Sequence, residues 1–264
     1  MFKLAASLFF LTTLSLFGQA VEEKLTYRIE AKTFKSGEAD IRKVLDYAAR
    51  PLWKNFPGYQ VEPIVVTKGN SGPIVLFKRN ANKEIIVKLD THGTFWCQYA
   101  YQWAHELCHV LCGYRNDGRE NKWFEETICE MSSLYCMRAM AVDWEKNPPY
   151  PNWKNYSKSI VSYTDNVIAK YEKVDAATMA DYYKKHEAEL RKSSTLRHLN
   201  GAMAAAMLPV FEKNPSHWEA VRYLNVTPAK PGISFKQYLA KWKKDAPKKH
   251  HKLIDGIARI YGVK

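Results

Sequence analysis

The sequence predicts an α+β protein: a small antiparallel sheet packed on a helix, followed by a mainly helical C-terminal half. Three observations carry this expectation. The runs "QVEPIVVT", "GPIVLFKR" and "KEIIVKLD" are rich in β-branched residues and are punctuated by the turn-forming "KGNSG" and "NANK". Upstream, "EADIRKVLDYAARPLWKNF" places Ile41, Val44, Leu45, Ala48, Leu52 and Trp53 at helical spacing. From Thr94 onward the pattern is helical, interrupted only by short polar, Pro- or Gly-containing stretches.

Taken in order, the chain opens with "MFKLAASLFFLTTLSLFGQA". A lone Lys3, an apolar run from Leu4 to Phe17 and the small residues Gly18 and Ala20 form the pattern of a cleavable export signal. The run is short for a bilayer span of about 20 residues. Residues 1–20 are therefore expected to be removed, leaving one domain over 21–264, secreted or periplasmic, with no later membrane-spanning segment. An extended segment follows over 24–36, then a helix from about Ala39 to Phe56, then the three strands. A helix from Thr94 should end at Gly113. A loop over Gly113 to Asn121 leads to a second long helix, "KWFEETICEMSSLYCMRAMAVDW", capped by Asn121 and closed by "NPPYPN". The last third is helical, with loops at "KSS", "EKNPSH" and "VTPAKPG". The α/β part thus extends to about residue 113 and the helical part from about 114.

The formal charge is +13, or +12 once Lys3 leaves with the signal. An exported basic chain is drawn to anionic envelope surfaces. Its densest basic run, "KWKKDAPKKHHK", has two residues that break it up, Asp245 and Pro247, and no Arg–aromatic interleaving. It reads as a solvated helix end, and nucleic acid is not an expected partner. All five cysteines fall between Cys97 and Cys136, and in an exported chain some should pair. Sequons at Asn155 and Asn225 would matter only in a eukaryotic source.

The chemistry is concentrated in "WAHELCH". His105 and His109 are four apart on a helix, about 6 Å along its axis, so they project from one face. That separation lets two imidazoles share a tetrahedral zinc ion. Glu106 lies beside them, within reach of a zinc-bound water. On the next helix Glu126 and Glu130 are one turn apart. Glu126 would complete a His-His-Glu site, and Glu130 would accept the free N–H of a liganding histidine. Cys97, two turns before His105, is about 12 Å away along the axis and too far to share the metal. Cys108 and Cys112 could be stapled to Cys129 or Cys136; a cysteine–zinc cluster is the alternative, although no C-x-x-C spacing supports it.

"HELCH" followed by "WFEETICE" resembles the gluzincin metallopeptidases, the thermolysin-like group. The resemblance covers about Thr94 to Trp144 and implies a zincin-like fold and a Zn2+ cofactor. It assigns His105, His109 and Glu126 as ligands, Glu106 as general base and Glu130 as the supporting carboxylate. The metzincin pattern fails, because Cys112 and Arg115 stand where it needs Gly and His. "RHLNGAMAAAM" is similar to the thermolysin-like stretch whose histidine stabilises the oxyanion, which would give His198 that role; Tyr163, Tyr182 and Tyr183 are its rivals. "EIIVKLD" would serve as an edge strand for an extended peptide. The expected activity is secreted, zinc-dependent peptide-bond hydrolysis. The alternative is a catalytically inactive zincin-fold binding protein of the cell envelope.

Overall fold

The computed structural model describes residues 25–116 and 119–263, so the export signal expected over residues 1–20 lies outside the described part. Strand β1 (Tyr27–Ile29) runs through a short 3-10 turn at Ala31–Phe34 into α1 (Glu38–Trp53). Strands β2 (Ile64–Lys68), β3 (Ile74–Val75) and β4 (Ile85–Leu89) follow, and then the two central helices, α2 (Trp96–Leu111) and α3 (Lys122–Lys146). The helical half comprises α4 (Tyr156–Ile168), α5 (Met179–Lys192), α6 (Arg197–Lys213), α7 (Phe235–Asp245) and α8 (His251–Ile260). The α+β class holds. Among the described residues no helix is long and apolar enough to cross a membrane.

The sheet differs from the antiparallel one expected. Its order is β1-β2-β4-β3, with β1, β2 and β4 mutually parallel and only β3 antiparallel, against β4. Parallel neighbours need a crossover connection, and α1 supplies it between β1 and β2. The turn residues after β2 do not close a hairpin onto β2. They carry the chain past the end of β4, where Gly69 N donates to Leu89 O at 2.8 Å and Gly72 N to Asp90 Oδ2 at 2.8 Å. "EIIVKLD", expected as an edge strand, forms the inner strand β4; the edges are β1 and β3.

The sheet's buried face and α1 cover α2, and α2 lies along α3. Gly113 ends α2 as expected, with φ +64°. Its N–H bonds Val110 O at 3.1 Å and Tyr114 N–H bonds His109 O at 3.1 Å, the paired bonds of a Schellman ending. Tyr114 is then tied to the sheet, donating to Leu76 O at 2.8 Å. The chain therefore turns sharply just after His109, leaving that histidine on the last turn of the helix.

Helix α3 is buried on nearly every side, because α1, α2, α4 and α6 all pack on it. Its first turn is set in an aromatic cluster. The Trp123 and Phe124 rings lie 4.7 and 5.0 Å from Phe235 of α7, and both also meet Tyr261 beyond α8. Asn121 occupies the N-cap position but does not cap. Its amide donates to Ile233 O at 2.9 Å and accepts from Arg191 at 3.3 Å, tying α3 to α5 and to the loop before α7. The hydrophobic core is continuous from Leu25 to Tyr261.

Candidate metal centre and cleft

The last two turns of α2 and the first two of α3 meet at the floor of a cleft of about 900 Å³. One wall is the β3 edge, with Pro73, Ile74, Val75 and Phe77. The opposite wall comes from α4 and from the segment joining α5 to α6. His105 and His109 stand side by side on α2, with ring centroids 5.0 Å apart. Their Nε2 atoms converge on one oxygen of Glu126, at 3.3 and 3.6 Å. Zinc bonds of about 2.0–2.1 Å at the tetrahedral angle place neighbouring ligand atoms roughly 3.3 Å apart. The donor set and its spacing therefore fit such an ion. His105 and Glu126 are both partly exposed to the cleft, so a fourth position opens toward it.

The outer nitrogens of both rings are also held. His105 Nδ1 lies 3.5 Å from Glu130 Oε2, the contact expected of Glu130. Glu130 Oε1 accepts from the Tyr101 hydroxyl and, at 2.6 Å, from the Tyr171 hydroxyl. Gly201 makes room for that second tyrosine: a Cβ there would fall 2.2 Å from the Tyr171 ring. His109 Nδ1 lies 2.7 Å from Glu125 Oε1. Glu125 was not foreseen from the sequence. It is 2% exposed, and its other oxygen accepts from Lys122 at 3.1 Å and from Asn225 Nδ2 at 2.8 Å. The sequon residue Asn225 is thus buried with its amide engaged, not offered to solvent.

Electrostatics follow from this crowding. Burial alone would lower both histidines, but hydrogen bonds to Glu126 and Glu130 raise His105 to about 10, and those to Glu125 and Glu126 hold His109 well above its ordinary value. Burial pushes the glutamates up, and their bonded partners overrule it: Glu125, Glu126 and Glu130 all lie below the usual carboxylate range. Glu106 is the exception. It is 3% exposed and raised, chiefly by burial, with the nearby histidines and a hydrogen bond from the Val75 backbone opposing. One glutamate of the cluster is thus kept basic enough to take a proton while three are kept ionised.

The remaining expected residues separate clearly. His198 is exposed on the first turn of α6 and is not among the residues lining the cleft. Of its three rivals, Tyr163 lines the cleft, whereas Tyr183 is stacked on Trp123 and Tyr182 lies tilted against His186, and neither lines it. Cys97 meets the Tyr156 hydroxyl at 3.5 Å instead of the histidines. All five cysteines are free and buried, so the expected staples are not formed. Cys108, Cys112 and Cys129 nonetheless gather, with the first two sulfurs 4.0 Å apart and all three within 4.8 Å. This group could hold a metal only as a closed site, since all three are fully buried and none lines the cleft.

Comparison of the chain with family models, with curated proteins and with solved structures finds no match among any of them.

Two expectations test this centre. Because both histidines of the metal-free site hold protons well above neutrality, a metal ion must displace them. Zinc affinity, measured by chelator competition, should rise steadily from pH 6 toward about 10 with release of protons; a flat profile would show that the imidazoles are not the ligands. Replacing Glu125 by Gln should weaken zinc binding by roughly 10- to 100-fold, through loss of the charge behind His109. Unchanged affinity would make Glu125 a packing residue only.

Proposed function

We propose that the chain is an exported zinc-dependent peptidase with a zincin-like, gluzincin-type site that cleaves peptide bonds in the cleft beside β3. The observation that carries this reading is the convergence of two Nε2 atoms and one carboxylate oxygen, at 3.3 and 3.6 Å, next to a buried glutamate that is not consumed by the cluster. His105, His109 and Glu126 would hold the ion, with Glu130 and Glu125 fixing the orientation of the two rings. Zinc in such a site supplies Lewis-acid polarisation of a carbonyl and lowers the pKa of water.

The chain's own groups supply the rest. Glu106 accepts the proton of the attacking water and delivers it to the leaving amine, a task its burial-raised pKa suits. The β3 edge aligns the substrate. Leu76 N bonds Ile86 O on β4 at 2.9 Å, so the neighbouring Val75 turns its polar groups away from β4 toward the cleft, its N–H given to Glu106 and its C=O left at the free edge. An extended peptide donates to that carbonyl, and the exposed Ile74 and Phe77 give it apolar contact. Tyr163 takes the oxyanion role first expected of His198, because it lines the cleft.

The test is Glu106→Gln. Hydrolysis of a mixed peptide library should fall by about 10²- to 10⁴-fold while zinc content is unchanged. Activity kept within tenfold of wild type would overturn the base assignment. A zinc-bearing wild type that cleaves nothing would instead favour the inactive envelope-binding protein.

A further inference from the structure

The wall of the cleft opposite β3 carries charge that the proposed chemistry does not use. Five cationic side chains line the cleft: Lys122, Lys170, Arg191, Lys192 and Arg197. Lys122 is spent on Glu125 at 3.1 Å, and Arg191 on Asn121 Oδ1 and Ile233 O at 3.3 and 3.0 Å. Lys170, Lys192 and Arg197 are exposed and have no carboxylate partner among the described residues. Every carboxylate that lines the cleft is already engaged, three by the histidines and Glu106 by the Val75 backbone. The free charge of the cleft is therefore positive.

Its placement is also specific. A Cβ on Gly72, in the loop before β3, would lie 3.6 Å from the Arg197 guanidinium, so this side chain reaches from α6 to the sheet side and spans one end of the cleft. It passes close to Tyr171, whose hydroxyl holds Glu130 behind His105. The backbone carrying these cations is pinned at both ends. Asn200 Nδ2 donates to Ser194 O at 2.7 Å on the α6 side, and Arg191 anchors the α5 end to Ile233 O. An exposed arginine without a carboxylate partner, reaching across the end of the cleft with Lys170 and Lys192 also on its lining, is suited to receive a carboxylate.

We propose that the cleft selects peptides bearing a carboxylate where the bound segment meets the Arg197 end of the cleft, seated on Arg197 with Lys170 and Lys192 in support. The carboxylate is that of an acidic side chain or of the peptide's C-terminus. This rests on the peptidase reading for its location but can be read out without catalysis.

The experiment is fluorescence anisotropy with the Glu106→Gln protein as purified and labelled peptides of one sequence. The peptides carry Glu, Gln or Lys at one position at a time along the sequence, each as free acid and as C-terminal amide. Glu peptides should bind about three- to tenfold more tightly than Gln peptides and Lys peptides least, the preference shrinking at high salt. Arg197→Gln should bring the Glu-to-Gln ratio close to one, and a Lys170→Gln/Lys192→Gln protein should reduce it in part. If free acids outbind amides whatever the varied residue, the C-terminus is the carboxylate recognised; if Glu outbinds Gln equally as acid and as amide, it is the side chain. Equal binding of Glu and Gln peptides with no loss on amidation, preference for Lys, or no peptide binding at all would each overturn the proposal. Cleavage of neutral and acidic peptides by wild type, scored separately, shows whether the peptidase reading itself stands.

Discussion

Everything in this fold answers to one electrostatic problem: four glutamates and two histidines are brought together where α2 meets α3, mostly out of water. Burying such groups is tolerable only if each is bonded and oppositely charged neighbours are close. Here each imidazole is gripped at both nitrogens by carboxylates from the facing helix. Protons on the histidines balance the cluster, and the same spacing of donors would let a divalent cation take their place.

The rest of the chain serves to keep those helices in register. α1 packs against both, the sheet covers α2, and the aromatic cluster of α5, α7 and Tyr261 clamps the start of α3 at Trp123 and Phe124, just before Glu125. The Schellman ending at Gly113 stops α2 directly after His109 and returns the chain to the sheet through Tyr114. Asn225, Tyr101 and Tyr171 then complete the bonds of the outer glutamates from elements distant in sequence. The helical half thus supplies the polar contacts that orient the site as well as one wall of its cleft.

What was legible in the sequence was whatever a helix makes local. His105, Glu106, His109, Glu126 and Glu130 are related by one-turn spacings, and Gly113 by the rule for helix ends, so their faces could be assigned before any fold was known. Glu125 escaped because its partners, Asn225 and His109, come from elsewhere in the chain. Strand pairing escaped for the same reason: turn residues between "PIVVT" and "EIIVK" suggest a hairpin, whereas α1 and the passage past β4 make those strands parallel. The three-cysteine group was passed over for want of C-x-x-C, yet Cys108 and Cys112 are an i, i+4 pair facing Cys129 across the helix contact. His198 was placed by resemblance alone, and α6 turns it to solvent.

Whether His105, His109 and Glu126 hold a metal ion together decides the chemistry of the cleft. The direct measurement is the zinc content of purified mature protein beside that of Glu126→Ala, each after dialysis against the same zinc buffer. One zinc per chain is expected in the wild type and a loss, or a sharp weakening, in the variant. A wild type that takes up no zinc, or a variant that holds it equally well, would contradict a shared His-His-Glu site.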